Sequence, residues 1–332
     1  MEHPASHESK AYPPLTAEAI ILTGPTASGK SSIALKLAER INGEIVSLDS
    51  IAVYRGMDIG TAKPTAADRL RVPHHLLDVV SPSDEFSAAQ YLALATTCAH
   101  DILARGNRPL FVGGTPLYLK ALLYGFDPGP PADWEFRKAV EEDIRIHGIN
   151  ALHQRLQQVD PLSAHRLPAT DTRRITRALE VAYLTGSPIS HRQTQFEQHP
   201  PLAAVKLFAI AWPREALHQR IETRVNKIFE IGLVDEVAGL LRDHETLSRT
   251  AASAVGYRET IEHLQQGTPL KTTIQSVIYH TRQLARRQET WFRSLPPLCS
   301  LAVANEEMLD DAVCQIEQAI LSPLSDSQLE HL

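Results

Sequence analysis

Cysteine is scarce in this sequence: Cys98, Cys299 and Cys314 are the only three in 332 residues. None stands in a C-x-x-C pair, which argues against a disulfide framework or a cysteine-based zinc site and fits a reducing cytoplasm. Long apolar runs are missing as well. No stretch approaches the roughly 20 residues that span a bilayer, so a helical membrane anchor is excluded and no membrane partner is expected. Residues 1–14 contain two histidines and three prolines but no apolar core. They do not read as a signal peptide and are expected to be a disordered leader. An excess of positive charge is also absent, the net charge being −6. Bulk electrostatics therefore do not announce a nucleic-acid binder, and any such role has to come from local basic clusters. The 15 histidines include one adjacent pair, His74-His75, and form no His/Asp/Glu set with metal-ligand spacing. Hydrophobic content of 43% and charged content of 22% are ordinary for a globular chain, and the length allows two domains or one domain with an insertion.

What is present is concentrated in one stretch. Gly24-Pro25-Thr26-Ala27-Ser28-Gly29-Lys30-Ser31 fits the pattern G-x-x-x-x-G-K-[ST] in full. An apolar β-type run (19–23) precedes it and a helix-forming segment (33–39) follows. In that context the glycines let backbone N–H groups turn inward around an anion, and the helix N-terminus adds the positive end of its dipole. Lys30 supplies a point charge, and the Ser31 hydroxyl can ligate Mg²⁺. The pattern predicts a grip on a di- or triphosphate and leaves open which one, and what reaction follows.

Two further apolar runs end at chemically capable residues. Residues 44–48 lead to Asp49-Ser50, and residues 109–112 lead to Gly113-Gly114-Thr115. Between them, residues 87–105 read as a helix, with Ala89, Leu92, Ala95 and Ala99 helically spaced. This alternation predicts an α/β fold, a P-loop NTPase-like parallel sheet flanked by helices. Ligands in such sheets bind beyond the carboxyl ends of the strands, so Asp49 and Thr115 are expected to face the same crevice as Lys30. A carboxylate at position 49 can hold Mg²⁺ through water or accept a proton, or it can simply cap the following helix. Thr115 can offer its hydroxyl to an anion or belong to a plain turn.

The turn Asp127-Pro128-Gly129-Pro130-Pro131 opens a stretch, to about residue 190, that reads as helices alone. Pro200-Pro201 and the apolar run 205–211 mark a return to the sheet. The expected organisation is a core of residues 15–122 and 204–300, a helical insertion domain of residues 123–203 and a helical tail of residues 301–332. Arg214, Arg220 and Arg224 follow the returning run, where arginines of phosphoryl-handling folds close over phosphates. Arg173, Arg174 and Arg177 sit on a helix whose core face is Ile175, Leu179 and Ala182, which puts Arg173 and Arg177 together on the side away from that core. Arg282, Arg286 and Arg293 line one face if 281–293 is helical, with Trp291 and Phe292 able to stack on bases or to pack. A solvated charged face is the ordinary meaning of either cluster.

The phosphate loop is joined in order by Asp49-Ser50, by Val53-Tyr54-Arg55-Gly56-Met57-Asp58-Ile59-Gly60-Thr61-Ala62-Lys63-Pro64, by Pro73-His74-His75-Leu76-Leu77-Asp78, by Val112-Gly113-Gly114-Thr115-Pro116-Leu117-Tyr118, by Val255-Gly256-Tyr257-Arg258 and by the segment from Arg282 to Gln288. This series resembles the bacterial tRNA dimethylallyltransferases over residues 19–293, and the stretch 54–64, which generic phosphate-loop kinases lack, is the most discriminating part. The resemblance implies transfer of a dimethylallyl group from its diphosphate to N6 of adenosine 37 in tRNAs that read codons beginning with U. It implies that the loop holds a diphosphate leaving group with Mg²⁺, rather than ATP undergoing phosphoryl transfer. Asp49 matches the family's catalytic aspartate and Thr115 its active-site threonine, with Lys30 beside them. Asp49, Ser50, Ile51 and Ala52, and Arg173, Arg174, Ile175, Thr176 and Arg177, match segments that contact tRNA. Thr115 and Arg137 match further tRNA-contacting positions. Gly256, Tyr257, Arg258, Arg282 and Arg286 are expected at the same interface. Ser31 stands where many relatives carry threonine, and either hydroxyl can ligate the metal. The partners expected are the anticodon stem-loop of tRNA and dimethylallyl diphosphate, with the protein acting as a cytoplasmic monomer. Alternatives are an isopentenyltransferase acting on free adenine nucleotides and an ATP-dependent phosphate-loop kinase.

Overall fold

The computed structural model describes residues 19–192, 206–295 and 299–321, so the expected leader and the ends of the expected insertion and tail lie outside the described residues. The chain divides into two compact units, one built from residues 15–120 and 201–332 and the other from residues 121–200.

The first unit alternates strands and helices. β1 (Ile20–Thr23), α1 (Lys30–Ile41), β2 (Gly43–Leu48), α2 (Ala66–Arg71), β3 (His74–His75), α3 (Ala88–Ala104) and β4 (Arg108–Gly113) come first, and α4 (Pro116–Tyr124) follows. The second unit is helical among its described residues, with α5 (Trp134–His147), α6 (Ile149–Val159), α7 (Pro161–Arg166), α8 (Thr172–Thr185) and α9 (Ile189–Arg192). The first unit then resumes with β5 (Lys206–Ala211), α10 (Arg214–Glu230), α11 (Leu233–Asp243), α12 (Arg249–Ala252), α13 (Tyr257–Gln266), α14 (Leu270–Phe292), β6 (Cys299–Ala302) and α15 (Met308–Leu321).

The six strands form one sheet in the order β3-β2-β4-β1-β5-β6, and every pairing is parallel. β1 and β2 are buried at every position, as strands covered by helices on both faces must be. One core cluster joins the sheet to α1, α10, α14 and α15, with Leu22, Ile33, Leu37, Ile221, Val313 and Ile316 fully buried. Each such aliphatic side chain contributes about 1.5–3 kcal/mol by leaving water. The helix expected over residues 87–105 is α3. Its start is set by a reciprocal cap in which the Ser87 side chain accepts from the Gln90 N–H and the Gln90 side chain accepts from the Ser87 N–H.

Both edges of the sheet depart from the sequence reading. β3 has two residues and β6 has one buried position, Leu301, so neither carries a periodic apolar signal. β6 crosses residue 300, where the tail was expected to part from the core. The tail helix α15 instead packs on α1, with ion pairs Lys36–Asp310 and Arg40–Glu317. At the opposite edge, buried Glu44 of β2 takes His75 Nε2 at 2.5 Å, both ends of the Arg105 guanidinium and the Asn107 amide. Burial alone would raise the Glu44 pKa, but those donors hold it down to about 2. No helix among the described residues is long and apolar enough to cross a membrane.

The helical unit has its own core of Val140, Leu152, Leu156, Ala164, Ile175, Ala178 and Leu179. Three of its helices, α5, α7 and α8, begin at carboxylate caps, Asp133 accepting from the Phe136 N–H, Asp160 from the Ser163 N–H and Asp171 from the Arg174 N–H.

Candidate active site

The loop after β1 turns into α1 through Gly29, whose φ of 87° lies in the left-handed region. No side chain caps α1 and its first turn carries no acidic residue, so its N–H groups keep their affinity for an anion. Lys30 folds back over the loop, its amine donating to the Gly24 carbonyl at 2.9 Å and the Pro25 carbonyl at 2.6 Å. Burial of that amine lowers its pKa to about 7; Arg224 pushes it the same way and Asp49 opposes.

The loop is braced from the far side of β1. Trp212 Nε1 donates to the Ser28 carbonyl at 2.9 Å, and Arg220 Nε donates to the Ala27 carbonyl at 2.7 Å. The Arg220 guanidinium lies 4.3 Å from the centre of the Trp212 ring and pairs with Glu306. Arg224, one turn further along α10, donates to the Thr61 carbonyl at 3.3 Å. Its pKa is lowered by burial, which the charge of Asp49 counteracts. Arg224 also lines a cavity of about 620 Å³ with Ile59, Ile228 and Ile231 among its walls.

Asp49 and Thr115 meet at the ends of β2 and β4. Asp49 Oδ1 accepts from the Ile51 N–H at 2.8 Å and the Ala52 N–H at 3.2 Å. It therefore caps a turn and not the helix that one of the readings expected, since no helix follows directly. Oδ2 accepts no hydrogen bond among the described residues and remains available to a proton. Thr115 Oγ1 accepts from the Ser50 N–H at 3.1 Å, which leaves its own hydroxyl proton free to donate.

The described residues contain no cluster of three His, Cys, Asp or Glu side chains that could cage a metal. Ser31 is exposed in the first turn of α1. One exposed hydroxyl next to an anion-binding turn fits Mg²⁺, which keeps most of its water and is held largely by substrate phosphates.

The stretch 54–64 folds around Lys63. Its side chain, 2% exposed, donates to the Tyr54 carbonyl at 2.6 Å and pairs with Asp58 and Asp78. The backbone N–H groups of Asp58 and Ile59 converge on Glu236 at 2.9 and 2.7 Å. Glu236 also accepts from the Tyr257 hydroxyl at 2.6 Å.

That contact corrects the expected tRNA role of Tyr257, which is 1% exposed and commits its hydroxyl internally. Gly256 is the N-terminal cap of α13, its N–H donating to buried Glu259 at 2.8 Å. Arg258 binds the same Glu259 at 2.6 Å. Arg282 pairs with Glu222 at 3.1 Å, whereas Arg286 is exposed. In the loop after Asp49, Ser50 and Ile51 are half-buried, and Ala52 is 6% exposed.

In the helical unit the expected free face of Arg173 and Arg177 is half right. Arg173 is exposed and Arg174 pairs with Asp171. Arg177 is drawn inward, donating to Glu180 at 2.6 Å and to the Pro128 and Pro130 carbonyls. Glu180 is fully buried and also takes Arg137 through two bonds, at 2.7 and 2.9 Å, and the Asp133 N–H at 2.8 Å. Burial alone would raise the Glu180 pKa, but the guanidinium bonds outweigh it and hold it low. Ile175 is fully buried, so its side chain cannot meet a partner, and Thr176 is half-buried. Glu180→Gln should lower the unfolding free energy by about 1–3 kcal/mol, because two guanidinium groups lose their counter-charge. Urea unfolding of the variant beside the unaltered protein measures this, and equal midpoints would contradict it.

Sequence reading missed Gln288, Glu180, Glu236 and Trp212 as parts of these arrangements. Glu180 had a local signal, since it lies three residues after Arg177 on α8. Gln288 stood in the quoted 282–288 segment but pointed to no particular partner.

The IPP transferase family model matches residues 52–295, and the isopentenyl transferase model matches residues 17–77. The tRNA dimethylallyltransferase of Rhodopirellula baltica is 53% identical over 98% of this chain and 99% of its own. That of Nitrosococcus oceani is 43% identical over 91% of this chain and 97% of its own. Among solved structures, the full-length tRNA isopentenylpyrophosphate transferase of Bacillus halodurans superposes with a TM-score of 0.69 at 36% identity, covering 95% of this chain and all of that one. A eukaryotic dimethylallyltransferase acting on tRNA superposes with a TM-score of 0.74 at 26% identity, covering 91% of this chain and 78% of that one.

Proposed function

The chain belongs to the tRNA dimethylallyltransferase family, and on that premise we propose that it transfers the dimethylallyl group of dimethylallyl diphosphate to N6 of adenosine 37. The substrates are tRNAs reading codons that begin with U, and the protein works as a cytoplasmic monomer. The observation that carries the reading is the convergence of three groups beside the phosphate loop: Lys30 is near enough to feel the charges of both Arg224 and Asp49, and Arg224 feels that of Asp49.

The chemistry needs both signs of charge. Diphosphate leaves with its electron pair, and Lys30, Arg220, Arg224 and the N–H groups of α1 receive that charge. The adenine N6 amine is a poor nucleophile, and Asp49 Oδ2 orients it and takes its proton as the C–N bond forms. Thr115 donates its hydroxyl to the same locality. Ile59, Ile228 and Ile231, in the cavity beside Arg224, suit a five-carbon chain. Mg²⁺, held by Ser31 and the diphosphate, would neutralise leaving-group charge when bound. The target base has to leave the anticodon stack to meet these groups. Arg173 and Arg286, both exposed, are suited to tRNA phosphates, whereas Arg137 and Arg177 shape the helical unit around Glu180.

The test pairs each donor, dimethylallyl diphosphate or ATP, with each acceptor, tRNA or AMP, with and without Mg²⁺. Alkylation of tRNA from dimethylallyl diphosphate in the presence of Mg²⁺ is the expected result. Preferential alkylation of AMP would move the reading to free nucleotides, and rapid ATP turnover would move it to a kinase.

A further inference from the structure

We propose that Gln288 is a positioning residue for the transfer step, its buried carboxamide locking the phosphate loop to the strand end that carries Thr115. The inference rests on the reading above and assigns a role to a side chain that touches no reacting atom.

Gln288 lies on α14 and is 7% exposed. Its Oε1 accepts from the Thr26 N–H at 2.9 Å, and its Nε2 donates to the Gly114 carbonyl at 2.8 Å. One partner can only donate and the other can only accept, so a single orientation of the amide satisfies both. The planar group thereby sets the separation of two loops. Thr26 belongs to the loop that ends at Lys30. Gly114 precedes Thr115, whose hydroxyl is bonded to the Ser50 N–H beside Asp49. The path from Lys30 to Asp49 through Gln288 thus joins the group that receives negative charge to the group that takes the proton.

The sheet does not supply this tie. The β1–β4 ladder pairs residues as far as Leu22 and Val112. Beyond it the register is continued by side chains, first Thr23 Oγ1 on the Gly113 carbonyl at 2.9 Å, then Gln288. Position 114 leaves room for this arrangement. A Cβ there would come within 2.6 Å of Gln288 Nε2 and 3.2 Å of the Gly24 carbonyl. A carboxamide neither gives nor takes a proton at neutral pH, so the effect of Gln288 is geometric. Misplacement of reacting groups by an ångström costs about 10²-fold in rate.

The test uses the full chain with Gln288→Met, Gln288→Ala, Gly114→Ala and the Gln288→Ala/Gly114→Ala double variant. Single-turnover transfer is measured at saturating donor and tRNA, well below each variant's melting temperature, with tRNA affinity in parallel. Gln288→Met, which keeps length and loses both bonds, should slow transfer about 10–100-fold with tRNA affinity unchanged. Gly114→Ala, with Gln288 intact but displaced, should give a loss of similar size. In the Gln288→Ala background Gly114→Ala should add little, because the two changes act on one contact. A merely structural glutamine would lower the melting temperature and leave the saturated rate within about twofold of the unaltered protein, by the same tolerance. That result, or losses that multiply in the double variant, would overturn the proposal. If Gln288→Met fails to fold, Gln288→Ala and the double variant decide by the same criterion. Unaltered protein that transfers nothing would instead bring down the functional reading on which the inference stands.

Discussion

Asp49→Asn should slow alkyl transfer by about 10²–10⁴-fold, the range for loss of a general base. The substitution is close to neutral for the fold. An asparagine oxygen can still accept from the Ile51 and Ala52 N–H groups that Oδ1 serves now. What changes is the other end of the side chain, where an amide donor replaces the oxygen that would take the proton from N6. Diphosphate affinity should hold or rise slightly, since a negative charge beside Lys30 and Arg224 is gone. Single-turnover rates with tRNA, set beside thermal melting and diphosphate binding, measure all three effects. A rate equal to that of the unaltered protein would remove Asp49 from the chemistry.

Lys30→Ala should lower the transfer rate by about 10²–10³-fold, as loss of one preorganised donor to a developing oxyanion does. The lysine also makes donor binding depend on pH. Without ligand, burial holds the amine at a pKa of about 7, so at pH 8 most of it is neutral. Diphosphate favours the ammonium form and raises that pKa, so binding takes up a proton from about pH 7 upward, and affinity falls as pH rises. Calorimetry in buffers of different ionisation heat should show this uptake, and Lys30→Ala should abolish it. Stability moves in the opposite direction. The folded pKa is depressed below the unfolded value, so between about pH 7 and the ordinary lysine pKa of 10.5 the unfolded chain binds more protons. The lysine's contribution to stability therefore rises with pH across that window, and Lys30→Ala should flatten the rise. Buffer-independent binding heats would show that the amine is already charged before the donor arrives.

Much of the architecture follows from local pattern. The run of residues 19–31 carries its own strand, turn and helix start, because glycines, lysine and helix dipole act over a few neighbouring residues. The same holds for α3, whose cap and apolar spacing lie within one segment. The parallel sheet was legible because buried strands need apolar side chains on both faces, which gives β1, β2, β4 and β5 short apolar runs at residues 20–22, 45–46, 110–112 and 207–211. The edges were not legible, since β3 and β6 bury little and hydrogen bonding to one neighbour leaves no periodic mark.

The sequence by itself pointed to an anion site at 24–31, put Asp49 and Thr115 at strand ends near it, and carried the resemblance to one particular family. Only the tertiary structure decided which charged side chains are free. Arg177 and Arg173 look alike in sequence, yet Arg177 turns in to buried Glu180 while Arg173 stays in solvent. Tyr257 was expected at the tRNA interface, yet it is sealed against Glu236. Gln288 and Thr26 are 262 residues apart, and no spacing rule connects them. The physical reason is common to all three. Propensity and periodicity act within a turn or two of chain, whereas a buried polar group must find its partner wherever packing brings one within hydrogen-bonding distance.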